Sequence, residues 1–311
     1  MKIDKTDKSE RSGMEKDTVA SQEVFDYYEK NWRQIVACYD IGADGLPCDP
    51  AFYRRLIYLR ILREMKVNNI LDVGCGSGRT VLDALQMNRE VKGIEPIGPL
   101  MKAAKVLLVE NGQNPDLIEQ NEIFDLKGWE ADTFDTVAVL SVLPHVCLDK
   151  WDLTHQYLVR LIKKGGYFIA SYRNDLFDLF TFNSFTIDFI VNSLWDCEVG
   201  QPLKSPKIVS ALKGLIRNPD IPGPFHTCAK DKTFGKLTRI NSNPLEMTSY
   251  LSRFGLEVLK TYFYNYHCVP PLLDEANQDF RTISHKMDME MVEDWRGNFL
   301  ASTFVILSRK P

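Results

Sequence analysis

Asn69-Ile70-Leu71-Asp72-Val73-Gly74-Cys75-Gly76-Ser77-Gly78-Arg79-Thr80 joins a short apolar run to a helical pattern through glycines at alternate positions. Ile70, Leu71 and Val73 suit an inner strand of a parallel sheet, buried on both faces, and Val81, Leu82 and Leu85 recur at helical spacing. Strand, glycine turn and helix therefore follow in order, as in a turn that cradles a nucleotide. Gly74, Gly76 and Gly78 remove the Cβ atoms that would hold a ligand off the backbone, and they permit φ values that other residues avoid. The helix after them offers N–H groups that its own backbone leaves unpaired.

A glycine turn by itself also fits Gly-x-Gly-x-x-Gly dinucleotide-binding domains. Here the third glycine comes one residue early, and an acid, Asp72, stands two residues before the first. A phosphate gains nothing from that carboxylate, whereas a ligand with an ammonium or sulfonium does. The pattern resembles motif I of the class I S-adenosylmethionine-dependent methyltransferases, and the resemblance extends over roughly Ile70 to Ser171. Within that superfamily it is similar to the ubiquinone-biosynthesis O-methyltransferases. The resemblance implies a Rossmann-like α/β fold with a seven-stranded, mostly parallel sheet. Its last strand would be antiparallel and inserted between strands five and six. It also implies S-adenosylmethionine as cofactor and S-adenosylhomocysteine as product.

Val91 to Glu95 reads as the second strand, with Glu95 closing it ~20 residues after the glycines, where an acid can pair two acceptor oxygens with two ribose hydroxyls. Leu100 to Val109 reads as a helix stopped by Asn111-Gly112, and Leu117 to Gln120 as a short third strand. By resemblance, Glu122 meets the adenine amino group and the Ile123 backbone N–H a ring nitrogen, with Asn121 as an alternative to Glu122. Arg54 stands at the spacing from Asp72 of an arginine that the related enzymes use for the cofactor carboxylate. The competing reading is a solvated basic face with Arg55, Arg60 and Arg63. The implied cofactor set is Arg54, Asp72, Gly74, Cys75, Gly76, Gly78, Glu95, Pro96, Glu122, Ile123 and Ser141.

Phe134 to Ser141 reads as the fourth strand, a continuous apolar run with the chemistry expected at its carboxyl end. Ser141-Val142-Leu143-Pro144-His145-Val146 follows, and resembles the Glu-x-x-Glu-His segment that holds a divalent metal in the ubiquinone-type enzymes. Ser141 and Pro144 replace both acids, and a lone imidazole is a poor site for a hard cation, so no metal is expected. His145 is the candidate catalytic base, a neutral base near pH 7; a histidine that hydrogen-bonds the fold is the competing reading. Trp151 to Lys163 reads as a helix ending at Gly165-Gly166, and Tyr167 to Ser171 as strand five. Tyr172, Arg173 and Asp175 just beyond it are candidate substrate residues. Leu245 to Phe254 reads as a helix, Leu256 to Tyr264 as strand six and Leu300 to Leu307 as the last strand.

The 311 residues, 44% of them hydrophobic, can build one large α/β domain with insertions. Residues 1–21 read as a flexible polar tail and 22–66 as an N-terminal helical cap. The cofactor-binding core would take 67–172, a substrate lid 173–243, and the rest of the core 244–311. In the cap, Val24, Phe25, Tyr28, Trp32, Ile35 and Val36 recur at helical steps, a stripe read as packing. In the lid, Lys204, Lys207, Lys213, Arg217, Lys230, Lys232, Lys236 and Arg239 meet few acids, which suits either solvated lysines or an anionic acceptor. Seven cysteines without a Cys-x-x-Cys pair argue against a disulfide framework or a zinc knuckle. The net charge of −4 gives no reason to expect a nucleic-acid partner. Without a run of the ~20 apolar residues that a span requires, and without the apolar block of a signal peptide, the expectation is no membrane and a cytoplasmic location. The functional expectation is O-methylation of a small molecule, a sugar or other polar metabolite. N-methylation, RNA modification or a catalytically silent cofactor-binding scaffold are the alternatives.

Overall fold

In the computed structural model, the described residues are 20–65, 67–216, 240–274 and 278–311. In chain order they form α1 (Gln22–Val36), α2 (Ala51–Glu64), β1 (Asn69–Val73), α3 (Arg79–Gln86), β2 (Glu90–Ile94) and α4 (Gly98–Glu110). Then come β3 (Ile118–Glu119), β4 (Phe134–Val139), α5 (Trp151–Arg160), β5 (Ile162–Asn174), α6 (Asp178–Thr181), α7 (Ser184–Phe189) and α8 (Pro206–Leu215). The chain finishes with β6 (Asn241–Ser242), α9 (Met247–Ser252), β7 (Glu257–Tyr266), α10 (Pro271–Asp274), α11 (Gln278–Glu290), α12 (Gly297–Leu300) and β8 (Ala301–Arg309). The tail up to residue 19, and Arg217, Lys230, Lys232, Lys236 and Arg239 of the basic stretch, lie outside the described residues.

The sheet runs β3-β2-β1-β4-β5-β8-β7. β1, β2, β3, β4 and β5 pair in parallel, and β8 runs antiparallel between β5 and β7, as the sequence implies. Alternation along each strand sends successive side chains to opposite faces. Ile70 of β1 and Ile169 of β5 join α2, α3 and α4 in one core, while Leu71, Val73, Phe168 and Tyr172 join α5 and α9 in the other. By the same alternation Asp72, Ser171 and Arg173 point to the α2 side. That face carries the polar groups discussed below.

Two sequence expectations change. The helix ends at Arg160 rather than Lys163, and Gly165-Gly166 lie inside β5. The register of β4 against β5 shifts between Phe134 and Thr136, and a Cβ on Gly166 would sit 2.7 Å from the Asp135 carbonyl oxygen, so the glycine admits a close strand approach. The second change is an eighth strand. β5 outruns β4, and its last residues find parallel partners in β6, Arg173 beside Asn241 and Asn174 beside Ser242. Unpaired backbone at a buried strand end would be costly, and β6 takes up that end.

The described part of the 173–243 insertion is tied at its end to the loop after β4, where the Ile240 N–H donates to the Pro144 carbonyl at 2.9 Å, and at its root to the segment before β8. Asn174, 2% exposed, donates from Nδ2 to the carbonyl oxygens of Gly297 (3.2 Å), Asn298 (2.8 Å) and Ala301 (2.7 Å). α6 packs on α12 and α7. No helix among the described residues is long and apolar enough to cross a membrane.

Candidate active site

The turn after β1 is fixed by its own backbone. The Gly74 and Cys75 N–H groups both donate to the Ile94 carbonyl, at 2.8 and 3.0 Å, and Gly78 caps α3 with φ +77°. The three glycines do different work. A Cβ on Gly74 would strike Val142 Cγ2 and one on Gly78 would lie 2.8 Å from Ala104 Cβ, so these two allow packing against the β4 loop and α4. At Gly76, φ +54°, nothing lies within 4 Å of the Cβ position: this is the glycine that opens the backbone toward a ligand. Gly78→Ala should therefore destabilise the protein by about 1 to 3 kcal/mol through left-handed strain and the clash, measured by denaturant unfolding.

Glu95 is 4% exposed, and both of its carboxylate oxygens are engaged by backbone. Gly76 N–H donates to Oε2 (2.8 Å) and Ile97 N–H to Oε1 (2.9 Å), tying the glycine turn to the start of α4. Burial pushes the Glu95 carboxyl up from the ordinary 4.5 to about 7, against the pull of those two N–H groups. Asp72, 1% exposed, accepts the Thr80 hydroxyl; burial raises it to about 6, while Thr80 and Arg54 hold it down. Arg54 is not on a solvated face. Its guanidinium interacts with the phenols of Tyr39 and Tyr264 and with the Asp72 carboxylate. Of its neighbours, Arg55 pairs with the buried Asp83 and Arg60 with the exposed Glu64.

These groups line one cavity of about 220 Å³. Every residue of the expected cofactor set borders it except Gly78, which packs on Ala104 instead. Ser141 sits at the end of β4 with φ +67°, its N–H donating to Ser171 Oγ at 2.6 Å. Such a conformation is uncommon away from glycine and turns the chain back toward the cavity. At the far end, Glu122 Oε2 accepts the Ile123 N–H (3.0 Å) and Asp125 accepts the Glu122 N–H (3.0 Å), a capping box on the turn that follows. The two groups expected to read adenine are thus bonded to each other, and a base bound there must exchange that local bond. Asn121 also borders the cavity, its amide donating to Glu119 (3.1 Å).

His145 borders the cavity with Tyr28, whose hydroxyl lies 3.0 Å from His145 Nε2. The rings meet edge to face, 5.5 Å between centroids. Tyr28 comes from α1, and so do Val24, Phe25, Tyr27 and Ile35 on the cavity wall, Val24 and Tyr27 being buried there together with Asn31 behind them. The stripe read as packing also borders the cavity. The expected substrate residues are not brought here. Tyr172 is buried in the core with its hydroxyl 3.2 Å from His155 Nε2, Asp175 accepts the Ser193 hydroxyl (3.4 Å), and Arg173 borders a different cavity. Nor does any described residue of the expected lid line the large cavity; α1 and the segment through Tyr39 take that place. Among the described residues, no group of three or more His, Cys, Asp or Glu side chains is placed to hold a metal ion.

Residues 71–170 match the family described as methyltransferase domain. Over that stretch the chain is similar to a methyltransferase domain. Ubiquinone biosynthesis O-methyltransferases of Xanthomonas euvesicatoria and Xanthomonas axonopodis are each 32% identical to it over 92 residues. That stretch is 30% of this chain and 38% of the relatives, so the chain spans well under half the length of the curated relatives it matches. Among solved structures, the magnesium protoporphyrin IX methyltransferase of Synechocystis with bound S-adenosylhomocysteine superposes with a TM-score of 0.52 at 11% identity, over 93% of this chain and 98% of that one. The cyclase SpnF superposes with a TM-score of 0.53 at 13% identity, over 94% and 98%. The fold is thus shared with a methyltransferase and with a protein named for a cyclisation, and the chemistry has to be argued from the cavity.

Proposed function

We propose that the protein is an S-adenosylmethionine-dependent methyltransferase acting on a hydroxyl of a small molecule. The observation that carries this is the run of charges on the cavity wall: the Arg54 guanidinium acts on Asp72, Asp72 on Glu95 and Glu122 on Glu95, with the open glycine backbone of Gly76 beside them. That order suits a ligand with a carboxylate, an ammonium and a ribose diol, in sequence. Arg54 would take the carboxylate, Asp72 the ammonium side, Glu95 the diol, and Glu122, Ile123 and Asn121 the base. Bound S-adenosylmethionine supplies an electrophilic methyl on a sulfonium. A new C–O bond forms as the C–S bond breaks, and the acceptor's proton must leave. His145 and Tyr28 are placed to take it: the acceptor hydroxyl gives its proton to the Tyr28 oxygen as the phenol gives its own to Nε2, or directly to the imidazole.

The test is calorimetry with S-adenosylmethionine, S-adenosylhomocysteine and NAD, followed by labelled-methyl transfer into metabolite pools. Both sulfur ligands should bind and NAD should not; binding of NAD alone would sink the reading. Label on an amine rather than an oxygen would leave the donor site standing and move the reaction to N-methylation. Turnover should survive exhaustive chelation, since Ser141 and Pro144 occupy the places of the related enzymes' metal-holding acids.

Proton linkage gives a second check. Burial holds Glu95 at about 7 and Asp72 at about 6, so both are partly protonated below neutrality. A raised carboxylate pKa stabilises the ligand-free protein most at low pH, and that contribution is lost as pH rises through 7. Ligand hydroxyls and a cation favour the ionised forms. Affinity for S-adenosylhomocysteine should therefore rise with pH between about 5 and 7 and then level, with proton release detectable by calorimetry in buffers of different ionisation enthalpy. A flat profile, with no proton released, would show that neither carboxylate meets the ligand.

A further inference from the structure

A second, smaller cavity of about 100 Å³ adjoins the first, and Asp49 borders both. It lies where β5, β7 and β8 end or begin, between the first turn of α2 and α11, with Arg173, Tyr53, His285, Asp288 and Thr303 in its wall. Arg173 reaches it because β5 outruns β4 and because alternation turns this residue to the α2 side. Its Nε donates to Asn241 Oδ1 at 3.2 Å.

The guanidinium is poorly compensated. Burial lowers its pKa from the ordinary value, and the acid coupled to it most strongly, Asp178, is itself held at about 7 by burial, so it carries only a partial charge at neutral pH. Tyr264 contributes a phenol, which it also offers to Arg54 of the first cavity. Two acids in the wall are already engaged: Asp49 accepts the Ala51 N–H (2.8 Å) and Asp288 the Tyr266 N–H (3.1 Å). Arg281 in the same wall is paired with Asp44 at 2.7 Å. His285 Nδ1 meets the Tyr53 hydroxyl at 2.8 Å. A half-buried, weakly paired guanidinium is costly unless something anionic completes it, and its planar fork matches carboxylate and phosphate oxygens two at a time.

We propose that this second cavity is the acceptor's anchoring subsite, in which Arg173 holds an oxyanionic group, a carboxylate or a phosphate monoester, while the acceptor's hydroxyl reaches toward Tyr28 and His145. The inference rests on the methyl-transfer reading above and supplies its acceptor class. The described ends of the 173–243 insertion then contribute to acceptor binding through Arg173 and Asn241, which brace one another.

The test is an NMR titration of the full chain, saturated with S-adenosylhomocysteine, with sodium acetate and separately with sodium phosphate at constant ionic strength. The arginine Nε–H signals and the His285 ring are followed. A saturable shift with acetate points to a carboxylate, with phosphate to a phosphate ester, and either supports the site. Arg173→Gln should weaken that ion at least tenfold while changing the S-adenosylhomocysteine dissociation constant less than twofold. Arg173→Lys keeps the charge but not the fork, should weaken the ion several-fold, and serves if the glutamine variant does not fold. No saturable shift with either ion, or equal affinity in the parent and both variants, overturns the proposal. Should S-adenosylhomocysteine itself fail to bind, the methyl-transfer reading fails, and the ion titration of the ligand-free chain still decides whether the subsite exists.

Discussion

His145→Ala should lower the rate of methyl transfer to a hydroxyl acceptor by about 10²- to 10⁴-fold while leaving the S-adenosylmethionine dissociation constant nearly unchanged. An aliphatic hydroxyl is weakly acidic, so taking its proton as the C–O bond forms lowers the barrier, and a positioned imidazole is suited to that at neutral pH. His145→Gln should not rescue the rate, because an amide accepts a hydrogen bond without being a useful base. The 3.0 Å contact between the Tyr28 hydroxyl and His145 Nε2 sharpens the experiment. If the proton passes through the phenol, Tyr28→Phe should cost nearly as much as His145→Ala, and the double variant little more than either, since residues acting as a unit are not additive. If the imidazole acts directly, Tyr28→Phe should retain most of the rate. Both variants transferring methyl at the parental rate, with stability intact, would make the pair a brace between α1 and the loop after β4.

The parts of this site legible in the sequence are those set by backbone rules. A strand buried on both faces must be apolar, a turn with positive φ wants glycine, and an acid after β2 falls beside that turn because parallel neighbours in register bring Val73 level with Ile94. Asp72, Gly76 and Glu95 follow from those rules. Tyr28 does not, because a helix with one apolar stripe gives no sign of whether an aromatic meets core or cavity; on α1 even the buried Val24 and Tyr27 border the cavity beside Phe25, Tyr28 and Ile35. Arg173 was legible as a polar residue beyond strand five, but its cavity was not. That depends on β5 being long enough to carry it past β4, a property of register rather than of composition. Tyr172, its neighbour, falls on the other face and packs with Phe304 and His155. One residue along a strand separates a core side chain from a cavity one.

Glu95→Ala should weaken S-adenosylmethionine and S-adenosylhomocysteine about 10- to 100-fold, the cost of hydrogen bonds to a charged group at about 1.5 to 3 kcal/mol. Two contributions add to that loss. One is the diol's acceptor. The other is the brace, since the Gly76 and Ile97 N–H groups both end on this carboxylate and would lose their partner together. Glu95→Gln is no milder in principle, because its amide NH₂ must face one of those N–H donors. An S-adenosylhomocysteine analogue lacking both ribose hydroxyls separates the contributions. If Glu95 receives the diol, the analogue should bind the parent protein poorly and the Glu95→Ala variant about as poorly, so the two losses do not sum. If Glu95 only braces the turn, removing the hydroxyls should cost the variant as much as it costs the parent. The diol would then have to be met elsewhere along the wall.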